Sequence, residues 1–163
     1  MDTKRITSLA YGGMMAALVF AATAFFKIPV SVTQGYIHLG DGFILLGAAL
    51  LGTPAIAAAA IGSMLADLLG GYTMYILPTF IIKGAVALVA VKAFAKSRPL
   101  PFTLCWLVLA EAVMVLGYFV AEWLVLGYGL AAALGAVIPN IVQGVSGVIV
   151  CAVLLPFQNR IKR

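Results

Sequence analysis

Asp67, Lys83, Glu111 and Glu122, with the amides Asn140 and Gln143, are polar groups set in otherwise apolar stretches. A charged side chain at mid-helix in a membrane costs about 2.5–3.5 kcal/mol on insertion scales, so each should be paired or put to use. Glu111, Tyr118 and Glu122 stand at i, i+7 and i+11. At ~100° per residue they fall within about 20° of one line, which predicts a single polar stripe along a helix. Tyr75, Thr79 and Lys83 recur at four-residue spacing, and Asn140, Gln143, Gly144 and Gly147 share a helical face. Carboxylates accept from amino, hydroxymethyl or protonated ring groups, and tyrosines stack on rings. The chemistry these types suit is recognition of a small polar molecule in a pocket, with Tyr36, Tyr72, Tyr75 and Trp123 as aromatic lids. The competing reading is a set of structural pairs that neutralise each other, Asp67–Lys83 foremost.

His38 is the sole histidine and precedes Gly40-Asp41-Gly42. One histidine excludes a multi-histidine metal site, and Ser31, Ser63 and Ser146 sit in no nucleophile motif. Asp41 reads equally as an N-cap for the following helix or as a ligand group. Cys105 and Cys151 are far apart in apolar stretches, without C-x-x-C, and read as small core hydrophobes. No metal or cofactor is implied. No G-x-x-x-x-G-K-[ST] occurs, so ATP-driven work would fall to another subunit.

The elements that must position these groups follow from composition. Of 163 residues, 64% are hydrophobic and 9% charged, against about 25% charged in soluble domains. This excludes the water-soluble and disordered classes, and predicts an all-α, single membrane-embedded domain over residues 1–163. Six spans of about 20 residues leave roughly 40 for loops and ends. The expected spans are Ser8–Phe26, Asp41–Leu51, Pro54–Leu69, Ile76–Ala95, Phe102–Leu126, and a sixth ending near Leu155. The second is short, about 16 Å of rise, and is expected to borrow Ile37–Gly40 or to tilt. Pro29–Gly40 reads as a polar loop, Gly52-Thr53-Pro54 as a tight turn, and Gly127–Gly135 as either loop or helix.

Eight of the ten basic residues fall at Lys4/Arg5, Lys92/Lys96/Arg98 and Arg160/Lys162/Arg163. With six spans these lie on one side, so the positive-inside rule predicts a multi-pass protein of the cell membrane with both termini cytoplasmic. The same clustering leaves no solvated basic face for nucleic acid. Lys4-Arg5, an apolar run and Ala22-Thr23-Ala24 fit a signal peptide, but length and a helical repeat of small residues favour a retained helix. That repeat is Gly13, Ala17, Ala21 and Ala24, with Gly12 and Ala16 beside it. From spacing alone, it serves either internal helix packing or the docking of a partner subunit. Ala55, Ala59 and Ser63 make a similar stripe, read as internal packing.

The stretch GYIHLGDGFILLGAALLGTPAIAAAAIGSMLADLLGGYTMYILPTFIIKG, Gly35 to Gly84, resembles the substrate-binding S components of energy-coupling factor (ECF) transporters, in the riboflavin-type branch. The resemblance implies a non-catalytic, high-affinity vitamin binder that docks on a transmembrane coupling subunit with two ATPase subunits. It implies that Ala17 and Ala21, with Gly13 adjoining, contact the coupling subunit, and that the bound protein topples to carry its site inward. It also implies a substrate near the outer surface. That location agrees with the polar cluster, and the residues expected to bind substrate are Tyr36, His38, Asp41, Tyr75, Thr79, Lys83, Tyr118, Glu122, Asn140 and Gln143. Two acids against one base suit a neutral or cationic heteroaromatic, and among the substrates that the resemblance implies this favours a vitamin B6 form such as pyridoxine or pyridoxamine first, hydroxymethylpyrimidine next. The alternative is a stand-alone proton-coupled carrier or channel using Glu111 and Glu122.

Overall fold

Apolar runs punctuated by glycine and proline fold here as helices, and the computed structural model describes residues 3–31, 33, 35–95 and 99–157. Six α-helices lie among them: α1 (Thr3–Phe25), α2 (Gly40–Leu51), α3 (Pro54–Gly70), α4 (Ile76–Phe94), α5 (Leu100–Val120) and α6 (Leu130–Leu154). Four segments, Thr3–Phe25, Thr73–Phe94, Leu100–Val125 and Leu130–Phe157, are long and apolar enough to cross a bilayer. α2 and α3 have 12 and 17 residues, rises of about 18 and 26 Å against a hydrocarbon core of ~30 Å.

The segment between α1 and α2 is not a plain loop. β1 (Lys27–Val30) and β2 (Gly35–His38) form an antiparallel hairpin with Lys27 opposite His38 and Val30 opposite Gly35. Ile37 therefore belongs to a strand and lends nothing to α2, which starts at Gly40. Val30, Tyr36 and Ile37 favour extended backbone, and Pro29 is tolerated because a two-stranded ribbon has only edges.

α2 is short because it is central. It packs against α1, α3, α4 and α6, and Ile44, Leu45 and Ala48 are buried. A helix enclosed on all sides needs no polar face. Gly52, at φ 64°, turns the chain into α3, and Pro54 occupies the first turn of that helix, where a missing N–H is harmless. Gly71, at φ 80°, closes α3 in the left-handed conformation, with the Tyr72 N–H donating to the Asp67 carbonyl at 2.9 Å.

α1 lies along α3. A Cβ on Gly62 would stand 2.5 Å from the Ala16 carbonyl oxygen, so this crossing requires glycine. Val19 and Thr23 of α1 are buried in the bundle, as are Ala55, Ala59 and Ser63 of α3. Gly13 and Ala17 instead face outward and Ala21 is half-buried. Cys151 is buried, but Cys105 is exposed on the outside of α5 rather than in the core.

α5 continues into a π-helical turn, Ala121–Val125, in which the Leu126 N–H reaches back to the Ala121 carbonyl at 2.8 Å. Positive-φ Gly127 and Gly129 then form a loop, so α6 starts at Leu130. Large apolar side chains such as Leu77 and Ile138 face outward, as suits a lipid surround. Lys96, Arg98, Arg160, Lys162 and Arg163 lie outside the described residues.

Candidate functional site

At the hairpin end of the bundle a narrow cavity of about 30 Å³ offers room for roughly two waters. The hairpin and the connection between its strands contribute Thr33, Gly35, Tyr36 and His38; α1 gives Thr23 and α3 gives Asp67. Tyr75 comes from the short turn that leads into α4 and Thr79 from α4, Tyr118 from α5 and Glu122 from the π-helical turn that continues it, and Ala136, Asn140 and Gln143 from α6. Eight of the ten residues singled out for substrate thus line one space. Asp41 and Lys83 do not.

The walls are tied by buried polar contacts. The Tyr36 hydroxyl donates to Asp67 Oδ1 at 2.6 Å, and its ring packs on Tyr72 at 4.4 Å between centroids. Lys27 Nζ stands 4.6 Å from the Tyr36 ring and 5.0 Å from that of Tyr72, a cation–π contact joining the hairpin to the end of α3. Tyr36 is pushed well above the usual phenol range, by burial first and then by the Asp67 carboxylate. The Tyr75 hydroxyl lies 2.8 Å from the Thr33 carbonyl and 3.0 Å from Glu122 Oε1. Thr79 and Tyr118 share a hydrogen bond of 3.0 Å.

Three groups on the lining retain hydrogen-bonding capacity. Asp67 Oδ2 and Glu122 Oε2 are buried with no partner among the described residues. Asn140 is nearly buried and borders the same space. Among the described residues no lysine or arginine lines the cavity. His38 accepts at Nδ1 from the Gly40 N–H at 3.0 Å and is pushed down to about 3 by burial and then by Lys83, so its imidazole is neutral. The cavity is therefore rich in acceptors and poor in positive charge. Among the described residues no three His, Cys, Asp or Glu cluster in a way that could hold a metal ion.

Asp41 and Lys83 lie outside this lining. Lys83, fully buried, pairs with Asp41 at 2.6 Å and not with Asp67. The expected Asp67–Lys83 pair is replaced because the hairpin brings Tyr36 to Asp67, while α2, at the centre of the bundle, brings Asp41 to Lys83. Asp41 is no N-cap either: α2 starts one residue before it, without a side-chain cap. Gln143 borders the cavity, yet its amide is engaged with Asp41 and His38.

The expected α5 stripe divides. Tyr118 and Glu122 reach the cavity, whereas Glu111 abuts Gly144 of α6 with both oxygens unpartnered among the described residues. Trp123 packs on Phe119 at 5.8 Å and does not border the cavity; Tyr72 acts behind Tyr36. Sequence reasoning missed Thr23, Thr33 and Gly35, and gave Asp67 the wrong partner. A signal for Asp67 was its place just ahead of Gly70-Gly71, at the end of α3 that faces the hairpin.

Comparison with known proteins supplies the remaining findings. Residues 3–162 match the family described as ECF-type riboflavin transporter, S component. An uncharacterised protein of Pyrococcus woesei is 37% identical over 135 residues, 81% of this chain and 88% of the relative. The thiamine precursor transporter HmpT of Lactococcus lactis subsp. cremoris is 32% identical over 164 aligned positions, 98% of this chain and 92% of the relative. The solved S component of a bacterial ECF transporter superposes with a TM-score of 0.75 at 19% identity, covering 98% of this chain and 99% of that one.

Proposed function

The chain belongs to the ECF-type riboflavin transporter S-component family, and from that premise we propose that its cavity binds a small heteroaromatic thiamine precursor of the hydroxymethylpyrimidine class. S components are substrate-binding transporter subunits rather than enzymes, so this is a multi-pass membrane protein that captures a vitamin or its precursor. The observation that carries the substrate reading is the pair of carboxylate oxygens, Asp67 Oδ2 and Glu122 Oε2, that have no partner among the described residues, on a lining to which none of those residues brings a lysine or arginine. An aminopyrimidine bearing a hydroxymethyl group offers N–H and O–H donors to such acceptors, and a flat ring for Tyr36, Tyr75 or Tyr118. The Asn140 amide supplies a donor for a ring nitrogen and an acceptor for the amino group. Acidic vitamins would meet carboxylates without a counter-charge.

The thiamine-precursor relative, aligned over 98% of the chain, favours the pyrimidine over a B6 vitamer, which the same donors would also suit. A cavity with room for about two waters admits a ring only when its walls move, and the hairpin is the wall with the fewest helical contacts. Gly13, Ala17 and Ala21, on or near the outer face of α1, are the surface we assign to the transmembrane coupling subunit. The two ATPase subunits would act through it. Both termini are assigned to the cytoplasm, since the site then opens outward.

The test is a calorimetric titration of purified protein with hydroxymethylpyrimidine, pyridoxine and biotin. Saturable binding of the pyrimidine with no response to biotin is expected. Preference for pyridoxine would move the substrate to the B6 class, and binding of biotin alone would overturn the reading of the lining.

A further inference from the structure

Gln143 borders the cavity but faces away from any ligand in its bonding. Its Oε1 accepts from the His38 backbone N–H at 3.0 Å, and its Nε2 donates to Asp41 Oδ2 at 2.7 Å. The orientation of this amide is dictated by its partners, since a backbone N–H only donates and a carboxylate only accepts. Asp41 is held in turn by Lys83, which donates to Oδ1 at 2.6 Å. Both Asp41 oxygens are thereby committed, and Asp41 and Lys83 are fully buried. The contact of α2 with α6 that makes this possible depends on Gly147, where a Cβ would lie 2.9 Å from Asp41 Cβ.

We infer that Lys83, Asp41 and Gln143 form a relay that holds strand β2 as the wall of the cavity, making them positioning residues rather than ligand contacts. The relay runs from α4 through α2 and α6 to the backbone of His38. Among the described backbone groups of the hairpin, the Thr33 carbonyl accepts from Tyr75 and the His38 N–H donates to a side chain of α6. Tyr36, two residues earlier on the same strand, carries the aromatic surface and donates to Asp67. Releasing His38 therefore loosens the cavity wall at the residues that would cover a ligand. A buried ion pair is seldom a net source of stability against apolar replacement. Fixing one orientation of Gln143 is a use for this one.

This inference rests on the cavity being the ligand site only for its second readout. The first readout is deuterium exchange of the β2 amides, which needs no ligand; the second is the rate at which hydroxymethylpyrimidine leaves, by stopped-flow tryptophan fluorescence. Two variants are compared with the natural protein in lipid nanodiscs. Gln143→Leu keeps bulk and removes both hydrogen bonds. Gln143→Glu in its acid form can still donate to Asp41 and accept from His38, whereas its ionised form meets the Asp41 carboxylate.

The expected result for Gln143→Leu is exchange at His38 about tenfold or more faster, with exchange inside α3 and α4 unchanged, and ligand release accelerated by at least about tenfold. For Gln143→Glu both rates revert toward the natural values as pH falls from about 8 to about 5.5; Asp41, Lys83, His38 and Glu111 are the titratable groups near it. Unchanged His38 exchange in folded Gln143→Leu, or in folded Gln143→Glu at about pH 8, overturns the relay. Faster exchange with no pyrimidine binding by any form keeps the relay and overturns the substrate reading. Faster exchange with an unaltered release rate overturns the claim that the relay serves the site.

Discussion

Glu111 buries two carboxyl oxygens without a partner among the described residues, and such a group costs about 1–3 kcal/mol relative to a satisfied or apolar one. It lies beside a groove between α5 and α6 lined by Val108, Val115 and Ile141, which leaves room for a thioether. Glu111→Met is therefore expected to raise the thermal midpoint in detergent, by an amount corresponding to about 1–2 kcal/mol. A fall would mean that Glu111 serves a partner outside the described residues. His38 carries the opposite kind of constraint. Its imidazole is pushed from 6.5 to about 3, so the folded protein holds it neutral while the unfolded chain takes up a proton below about pH 6.5. The stability it contributes is intact above that pH and declines on acidification toward 3. The loss reaches about 2 kcal/mol at about pH 5. A thermal-melt series should show this acid slope in the natural protein and a shallower one in His38→Gln.

Between single residues and the whole bundle, the hairpin and the end of α5 decide what the site looks like. The helical spacing of Tyr75 and Thr79, and of Asn140 and Gln143, was legible in the sequence because one face of one helix suffices to predict it. The partner of Lys83 was not, since Asp41 and Asp67 are both carboxylates and only the central position of α2 chooses between them. The hairpin was hidden for a related reason: four-residue strands carry too short an alternation to stand out beside long apolar runs. The π-helical turn at Ala121–Val125 widens the backbone where Glu122 sits, and no propensity marks it; such turns recur at functional positions. At the α2–α6 crossing, Gly147→Leu would force a side chain into Asp41. It should lower the thermal midpoint and also accelerate β2 exchange, whereas Gly12→Leu, where a Cβ meets nothing within 4 Å, should do neither.

At the scale of the whole molecule, the proposed binding end and the proposed docking side are separate surfaces. The cavity and hairpin occupy one end. The small-residue stripe of α1 leaves Gly13 and Ala17 outward-facing, where another helix can approach closely. Ala17→Trp should leave pyrimidine affinity within about twofold and abolish uptake by cells that supply the coupling and ATPase subunits. Loss of affinity instead would place that face within the ligand-binding fold. Uptake by this protein alone, collapsed by an uncoupler, would contradict the ATP-driven account. In the proposed function the cavity under the hairpin holds the ligand through carboxylates. The most direct measurement of this is the Kd of hydroxymethylpyrimidine for the natural protein, Glu122→Gln and Asp67→Asn, by calorimetry at one pH. The account predicts that each substitution weakens binding by roughly ten- to a hundredfold, the loss of one charge-assisted hydrogen bond. Unchanged affinity in both variants, with both folded, would contradict it.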